Sequence, residues 1–75
     1  MTNKEIVIGV LKKYSCLTSF QIKGFAYRMY NVKITPQSVA GVLRPFINNG
    51  LVNKYPDPIS GKMVYWLTDL GKETL

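Results

Sequence analysis

Residues 35–52 read TPQSVAGVLRPFINNGLV and carry the clearest helix signals of the chain. Thr35 supplies a capping hydroxyl, and Pro36 follows it at the first helical position, where a proline sacrifices no hydrogen bond. Apolar residues then recur at helical spacing and form one stripe, which comprises Val39, Val42, Leu43, Phe46 and Ile47. Asn49 and Gly50 form a stop signal. The stretch therefore predicts an amphipathic helix over 36–49, the third helix of the chain.

Pro45 lies inside this predicted helix, where it removes the hydrogen bond to the carbonyl of Gly41. One interpretation keeps the helix whole with a kink near its last turn. The other ends the helix near Leu43 and adds a second short turn. The sequence leaves both open.

The two segments before this helix begin with the same capping pattern. A threonine is followed three residues later by a glutamate or glutamine, at Thr2 and Glu5 and again at Thr18 and Gln21. In this arrangement each side chain satisfies the backbone amide of the other. Apolar residues at helical spacing follow both, so we expect helix one over 3–13 and helix two over 19–30. The connection between them is expected to be a turn with, at most, a short strand.

After Gly50 the hydrophobic pattern changes to a period of two, which is typical of strands. Strand-like runs over 51–55 and 62–67 flank the sequence PDPISG at 56–61, whose residues favour turns. These runs predict a β-hairpin, called the wing below, over 51–67. Thr68 is then placed to cap a final short turn over 69–75.

Trp66, in the second strand of the wing, has two interpretations. Alternation puts Tyr65 on one face of the strand and both Val64 and Trp66 on the other. If Tyr65 faces the core, Val64 and Trp66 are an exposed apolar patch and candidates for an interface with another chain. If helix one or the final turn covers that face, Trp66 belongs to the core.

The chain is short and strongly basic. Its 75 residues include ten Lys and Arg against four Asp and Glu, giving a formal net charge of +6. This length predicts a single domain over 1–75. No acid occurs over residues 6–56, which hold Lys12, Lys13, Lys23, Arg28, Lys33, Arg44 and Lys54. The charge predicts a polyanionic partner such as nucleic acid.

Several residue types that carry enzymatic chemistry are missing or scattered. The chain has no histidine, one cysteine, and four separated carboxylates. This composition predicts no enzymatic activity, no cofactor and no metal site. The lone Cys16 is expected to be a buried structural thiol in a reducing cytoplasm. The apolar run over 6–11 is too short for a signal peptide or a membrane span, so we expect a cytoplasmic protein with no membrane partner.

The order of three helices and a hairpin resembles the winged helix-turn-helix superfamily. The sequence YWLTDLGK at 65–72 is similar to the Y-x-L-T-x-x-G-K/R close of the wing in PadR-like and MarR-like regulators. The resemblance implies a small α+β fold and a DNA-binding transcriptional regulator, found at the nucleoid when bound to DNA. It further implies that helix three lies in the major groove and the wing on the backbone or minor groove. Winged helices this short also resemble those of phages, plasmids and archaeal viruses.

The resemblance assigns candidate roles to polar residues of helix three and the wing. The base-reading candidates are Gln37, Ser38, Gly41, Arg44 and Asn48. The phosphate-contact candidates are Lys33, Thr35, Lys54, Tyr55 and Lys62. The expected partner is double-stranded DNA, bound together with a second copy of the chain or another protein, and no small-molecule effector is evident.

Two alternatives compete with these assignments. Gln37, Ser38 and Asn48 are also consistent with an ordinary solvated helix face. Winged helices also serve as protein-interaction modules, in which case the wing face around Trp66 is the contact surface. Among the helical glycines, Gly9 and Gly24 are expected to permit close packing, whereas Gly41 eases either the kink or an approach to DNA.

Overall fold

The computed structural model describes residues 2–75, over which four helices and three strands follow one another. The helices are α1 Asn3–Lys13, α2 Ser19–Tyr30, α3 Pro36–Asn48 and α4 Asp69–Thr74. The strands are β1 Leu17–Thr18, β2 Val52–Pro56 and β3 Met63–Leu67. Helices α1 and α2 have the expected ranges, and each strand of the wing begins one residue later than expected.

Reciprocal capping fixes the starts of α1 and α2. The hydroxyl of Thr2 accepts a hydrogen bond from the amide of Glu5 at 3.2 Å, and the Glu5 carboxylate accepts one from the amide of Thr2 at 3.2 Å. The Thr2 amide is the main reason why the pKa of Glu5 is lowered. Thr18 and Gln21 repeat the exchange at 3.2 and 2.9 Å. Each helix therefore begins where its cap dictates.

Helix α3 passes through Pro45 without interruption, so the interpretation that ends it near Leu43 is wrong. It ends at Asn48, one residue before the expected boundary, because Asn49 is the capping residue. The amide of Gly50 donates to Ile47 at 3.1 Å, and the amide of Leu51 donates to Phe46 at 2.9 Å. Gly50 has a φ of 75°, which is the left-handed conformation that this type of helix end requires.

The strands form one antiparallel sheet in the order β1-β3-β2. The short strand β1 pairs with β3 through Leu17 opposite Tyr65. Cys16 comes immediately before β1 and is exposed, so the expectation of a buried thiol is wrong. Its φ of 60° lies in the left-handed region, and the tight turn from α1 into β1 leaves its side chain outside the core.

The core lies between the helices and the face of the sheet that carries Tyr65 and Leu67. Helices α1, α2 and α3 each contribute side chains with essentially no exposure, so a small chain encloses one continuous apolar cluster. Its most enclosed large members are Ile6, Val7, Val10, Ile22, Val39, Leu43 and Val52. The expected α+β architecture is thus confirmed.

Trp66 lies on the sheet face opposite the core, as alternation from the buried Tyr65 predicts. It is half-buried and sits opposite Asn53 of β2. Val64, on the same face, is also half-buried. Trp66 is therefore neither a member of the central apolar cluster nor a freely exposed aromatic.

Helix α4 closes the fold by docking onto the junction of α3 and the wing. The Thr68 hydroxyl donates to the carbonyl of Gly50 at 2.6 Å and accepts from the amide of Gly71 at 3.0 Å. The Thr68 amide donates to the carbonyl of Leu51 at 3.0 Å. Thr68 and Gly71 of the L-T-x-x-G pattern therefore hold the wing against the end of α3.

Within the part of the chain described, no helix has both the length and the apolar character needed to cross a membrane.

Candidate nucleic-acid interface

The outward face of α3 carries four of the five base-reading candidates. Gln37, Gly41, Arg44 and Asn48 are all exposed and recur at a helical spacing of four, three and four residues. The opposite face is buried through Val39, Leu43 and Phe46. Because those three side chains anchor the helix, the exposed face has a fixed orientation toward solvent.

Ser38 is placed differently from the other candidates. It is half-buried, and its hydroxyl accepts a hydrogen bond from the Thr35 hydroxyl at 3.0 Å. The Ser38 amide in turn donates to the Thr35 hydroxyl at 3.1 Å. Both hydroxyls are therefore engaged in capping α3, and Pro36 has no amide hydrogen. The first-turn amide left for an anion is that of Gln37.

A cleft of about 250 Å³ joins the outward face of α3 to the first strand of the wing. Arg44 and Asn48 line one side of it, Lys54 lines the other, and the buried Tyr65 forms part of its wall. The fold thus brings two base-reading candidates and one phosphate-contact candidate together from separate segments.

The remaining wing candidates lie on other sides of the hairpin. Tyr55 is 60% exposed and pairs with Val64, so it is on the outer sheet face, away from Lys54. The Lys62 ammonium lies 5.0 Å from the centre of the Phe20 ring, at the start of α2. The structure does not gather Lys54, Tyr55 and Lys62 at one point.

The tip of the wing is held by Asp57. Its carboxylate accepts from the amide of Ile59 at 3.2 Å and from the Ser60 hydroxyl at 2.9 Å. These hydrogen bonds lower the pKa of Asp57, and the bond from the Ile59 amide has the largest effect. Ile59 projects from this ordered tip and is 95% exposed.

A second basic surface, which the sequence reasoning missed, lies on α2. Exposed Lys23 and Arg28 flank a groove of about 700 Å³ that also reaches Lys33 and Thr35 at the start of α3. The signal in the sequence is the helical spacing of Phe20, Lys23, Gly24, Tyr27 and Arg28. This spacing places the five residues on one face of a helix, but it does not indicate the groove beside that face.

The acids are segregated between elements, whereas the cations are not, because α1 also carries Lys4, Lys12 and Lys13. The segment from α2 to β3 holds Lys23, Arg28, Lys33, Arg44, Lys54 and Lys62, and a single acid, Asp57. The other acids, Glu5, Asp69 and Glu73, belong to α1 and α4. Among residues 2–75 no cluster of three or more His, Cys, Asp or Glu side chains is arranged to hold a metal ion.

No protein-family model matches the chain, and no curated protein matches it either. Solved structures do match. A winged-helix DNA-binding protein from STIV superposes with a TM-score of 0.78 at 18% identity, covering 95% of this chain and 76% of that one. The PcaV transcriptional regulator from Streptomyces coelicolor, solved with its natural ligand, gives 0.78 at 20% identity over 97% of this chain. MepR of S. aureus, solved as a DNA complex, gives 0.74 at 22% identity over 97% of this chain.

The chain spans 48% of PcaV and 57% of MepR. Sequence identities this low show a shared fold and nothing beyond it, and the shared fold is a winged helix.

Proposed function

We propose that this winged-helix chain binds double-stranded DNA sequence-specifically as a small transcriptional regulator and is not an enzyme. In this proposal α3 lies in the major groove, and the wing lies on the backbone or in the minor groove. The observation that carries it is the outward face of α3, which is polar, cationic at Arg44, free of acids, and joined by a cleft to Lys54. A duplex groove offers hydrogen-bond acceptors to such a face and phosphates to its rim.

The base-reading roles follow from side-chain chemistry. Arg44 has the two-donor geometry that matches the O6 and N7 of guanine, whereas Gln37 and Asn48 have the amides that pair with adenine. Gly41 lacks a side chain at the centre of this face, which lets the helix backbone approach the base edges. Ser38 contributes less directly, through the cap that sets the first turn of α3.

The phosphate contacts position the helix without specifying a sequence. Lys33 precedes α3 and Lys54 borders its outward face, whereas Lys62, just before β3, and Tyr55, on the outer sheet face, contact phosphates at separate points of the wing. Thr35 acts by holding the first turn of α3 so that the Gln37 amide faces the phosphate backbone of the DNA.

The similar structures support this class of function because they are DNA-binding proteins or transcriptional regulators. PcaV is a transcriptional regulator, MepR was solved bound to DNA, and the STIV protein is a DNA-binding protein. We transfer no ligand or target from them, and we propose no small-molecule effector for this chain.

One winged helix of this size reads about a half-site, so useful specificity requires a second copy or a partner protein. Val64 and Trp66 are the candidate residues for that contact. The competing proposal, a protein-interaction module, uses the same face. Amide chemical-shift mapping separates the two, because duplex DNA should move residues 35–48 whether or not a second copy binds, whereas a protein-interaction module should move the surroundings of Val64 and Trp66 and leave residues 35–48 unchanged.

The direct test of the proposed function is selection of bound duplexes from a random double-stranded DNA pool. We expect enrichment of one short motif, in palindromic arrangement if the chain binds as a symmetric dimer. A pool that shows no enrichment after repeated rounds at low salt contradicts sequence-specific binding.

A further inference from the structure

The tip of the wing presents an isoleucine that the fold does not use. Ile59 lies in the connection between β2 and β3 and is 95% exposed. Among the described residues, no other large hydrophobic residue is more than 60% exposed. A single exposed aliphatic side chain is common on protein surfaces. Ile59 differs from such a residue because the segment that carries it is ordered.

Hydrogen bonds within the tip fix its shape. The Asp57 amide donates to the carbonyl of Lys62 at 2.8 Å, and the Gly61 amide donates to the carbonyl of Asp57 at 2.7 Å. The Ser60 hydroxyl accepts from the Lys62 amide at 3.2 Å while it donates to the Asp57 carboxylate. The side chains of Asp57 and Ser60 therefore point back into the tip, and Ile59 is left projecting from it.

Glycine is required at the tip for its conformation. Gly61 has a φ of 73°, and a β-carbon there meets nothing within 4 Å, so backbone geometry and not packing is the reason. The helical glycines differ from it. Gly9 is close-packed as expected, because a β-carbon there meets the Tyr30 hydroxyl. A β-carbon at Gly24 meets nothing within 4 Å, so the expectation of close packing is wrong for that residue.

The tip carries no positive charge. Residues 56–61 contain no Lys or Arg, and the carboxylate of their one acid, Asp57, is engaged by hydrogen bonds within the tip. The nearest cations in the sequence are Lys54 and Lys62, one on each side of this segment. The tip is therefore unsuited to phosphates, whereas its projecting aliphatic side chain is suited to the apolar planes of the bases.

We infer that Ile59 is a wedge that enters the minor groove, inserts between two base pairs and kinks the bound duplex. The inference rests on the proposed function and adds DNA bending to it. Isoleucine is one of the side chains that unstack base steps in this way, and its burial between bases offsets part of the unstacking cost. The ordered tip lowers the cost further, because the conformation that presents Ile59 exists before DNA binds.

The dimensions of the wing are consistent with a kink. The axes of two paired strands lie about 5 Å apart before the volume of their side chains is added. The minor groove of regular duplex DNA is about 6 Å wide. The tip therefore reaches the floor of the groove only where the groove opens, as it does at an unstacked step.

The first experiment measures the bend of the selected duplex by energy transfer between dyes at its two ends. We expect the wild-type complex to be kinked by about 20° or more. Ile59→Ala should bind the same motif and leave the duplex as straight as free DNA, whereas Ile59→Leu should retain the kink. The matched control is Leu70→Ala, which removes an exposed aliphatic side chain from α4 and should also retain it. A straight wild-type complex, or an Ile59→Ala complex bent like the wild type, overturns the inference.

The second experiment places a single mismatch at successive positions of the flanking DNA, outside the selected motif. A mismatch at the step where Ile59 enters lowers the unstacking cost, so wild-type affinity should rise about tenfold there. We expect this position about half a helical turn, or roughly five base pairs, from the bases that α3 contacts. Ile59→Ala should show no such rise. An equal rise for both proteins, or no rise at any position, overturns the inference.

Failure of the inference can be told apart from failure of the proposed function. If duplex DNA moves the amide resonances of residues 35–48 and leaves those of 57–62 unchanged, α3 binds DNA and the tip does not touch it. The inference then fails and the proposed function stands. If the wild-type protein binds no duplex at low salt, both fail.

Discussion

The α-carbon of Gly71 packs directly against the backbone carbonyl of Leu51, at the point where α3 gives way to the wing. A β-carbon at position 71 overlaps the carbonyl oxygen and lies 2.9 Å from the carbonyl carbon. The same carbonyl accepts the Thr68 amide at 3.0 Å. Because this contact joins backbone to backbone, it fixes the wing relative to the proposed reading helix, and no side-chain rearrangement can relieve it.

The first prediction is that Gly71→Ala destabilises the fold by roughly 2 kcal/mol or more, since overpacking against backbone forces a shift of α4. Gly41→Ala is the matched control, because a β-carbon there meets open space, and it should stabilise by up to about 1 kcal/mol. Urea denaturation measures both. Equal unfolding free energies for Gly71→Ala and the wild type contradict the packing described.

Thr68 gives a second prediction, through its hydroxyl. Thr68→Val removes the bonds to Gly50 and Gly71 and should cost about 1–2 kcal/mol of unfolding free energy. Thr68→Ser retains the hydroxyl and should stay much closer to the wild type. If the valine and serine variants melt at the same temperature, the hydroxyl is not what secures α4.

The third prediction concerns Asp57 and pH. Hydrogen bonds to its carboxylate lower the pKa of Asp57 in the folded chain, so the order they give the wing tip is present above the ordinary aspartate pKa. That order is lost only as the pH falls through the lowered pKa. The Ile59 amide resonance should therefore titrate with a midpoint below that of aspartate in a short peptide, and Asp57→Asn should abolish the transition. A midpoint at or above the peptide value contradicts the tip geometry.

Arg44 gives the fourth prediction. Loss of a two-donor contact to guanine costs about 1–3 kcal/mol, so Arg44→Ala should weaken binding to the selected duplex by about tenfold to a hundredfold. It should also relax the preference at one base position. Lys72→Ala on α4 removes an equal charge and should leave that preference intact. Unchanged affinity and unchanged preference for Arg44→Ala show that α3 is not the reading element.

Much of the fold could be predicted because its boundaries depend on local chemistry. The capping pairs at Thr2 and Thr18 act within three residues, and the hydrophobic period identifies the buried stripe of α3. The exposure of Cys16 could not be predicted, because it follows from the left-handed turn that leads into β1. The pairing of β1 with β3 joins residues almost fifty positions apart, and neither strand carries a signal for the other.

The positions of the candidate residues within α3 could be predicted from the sequence. Positions that depend on two or more helices or strands could not. The spacing of Gln37, Gly41, Arg44 and Asn48 alone places them on one face of α3. The separation of Lys54 from Tyr55 follows from the orientation of the sheet. The groove on α2 was missed because its walls come from two elements, and because the open space around Gly24 is a property of the packed chain.

The salt dependence of binding to a selected duplex measures whether the basic surface of this chain contacts DNA phosphates. Neutralisation of about five phosphates, by Lys33, Lys54 and Lys62 together with two of the other cations in the segment from α2 to β3, predicts a slope of log K against log salt of about −4.5. We therefore expect a linear decline with a slope between about −4 and −5. Binding that is insensitive to salt, or no duplex binding at low salt, contradicts the account.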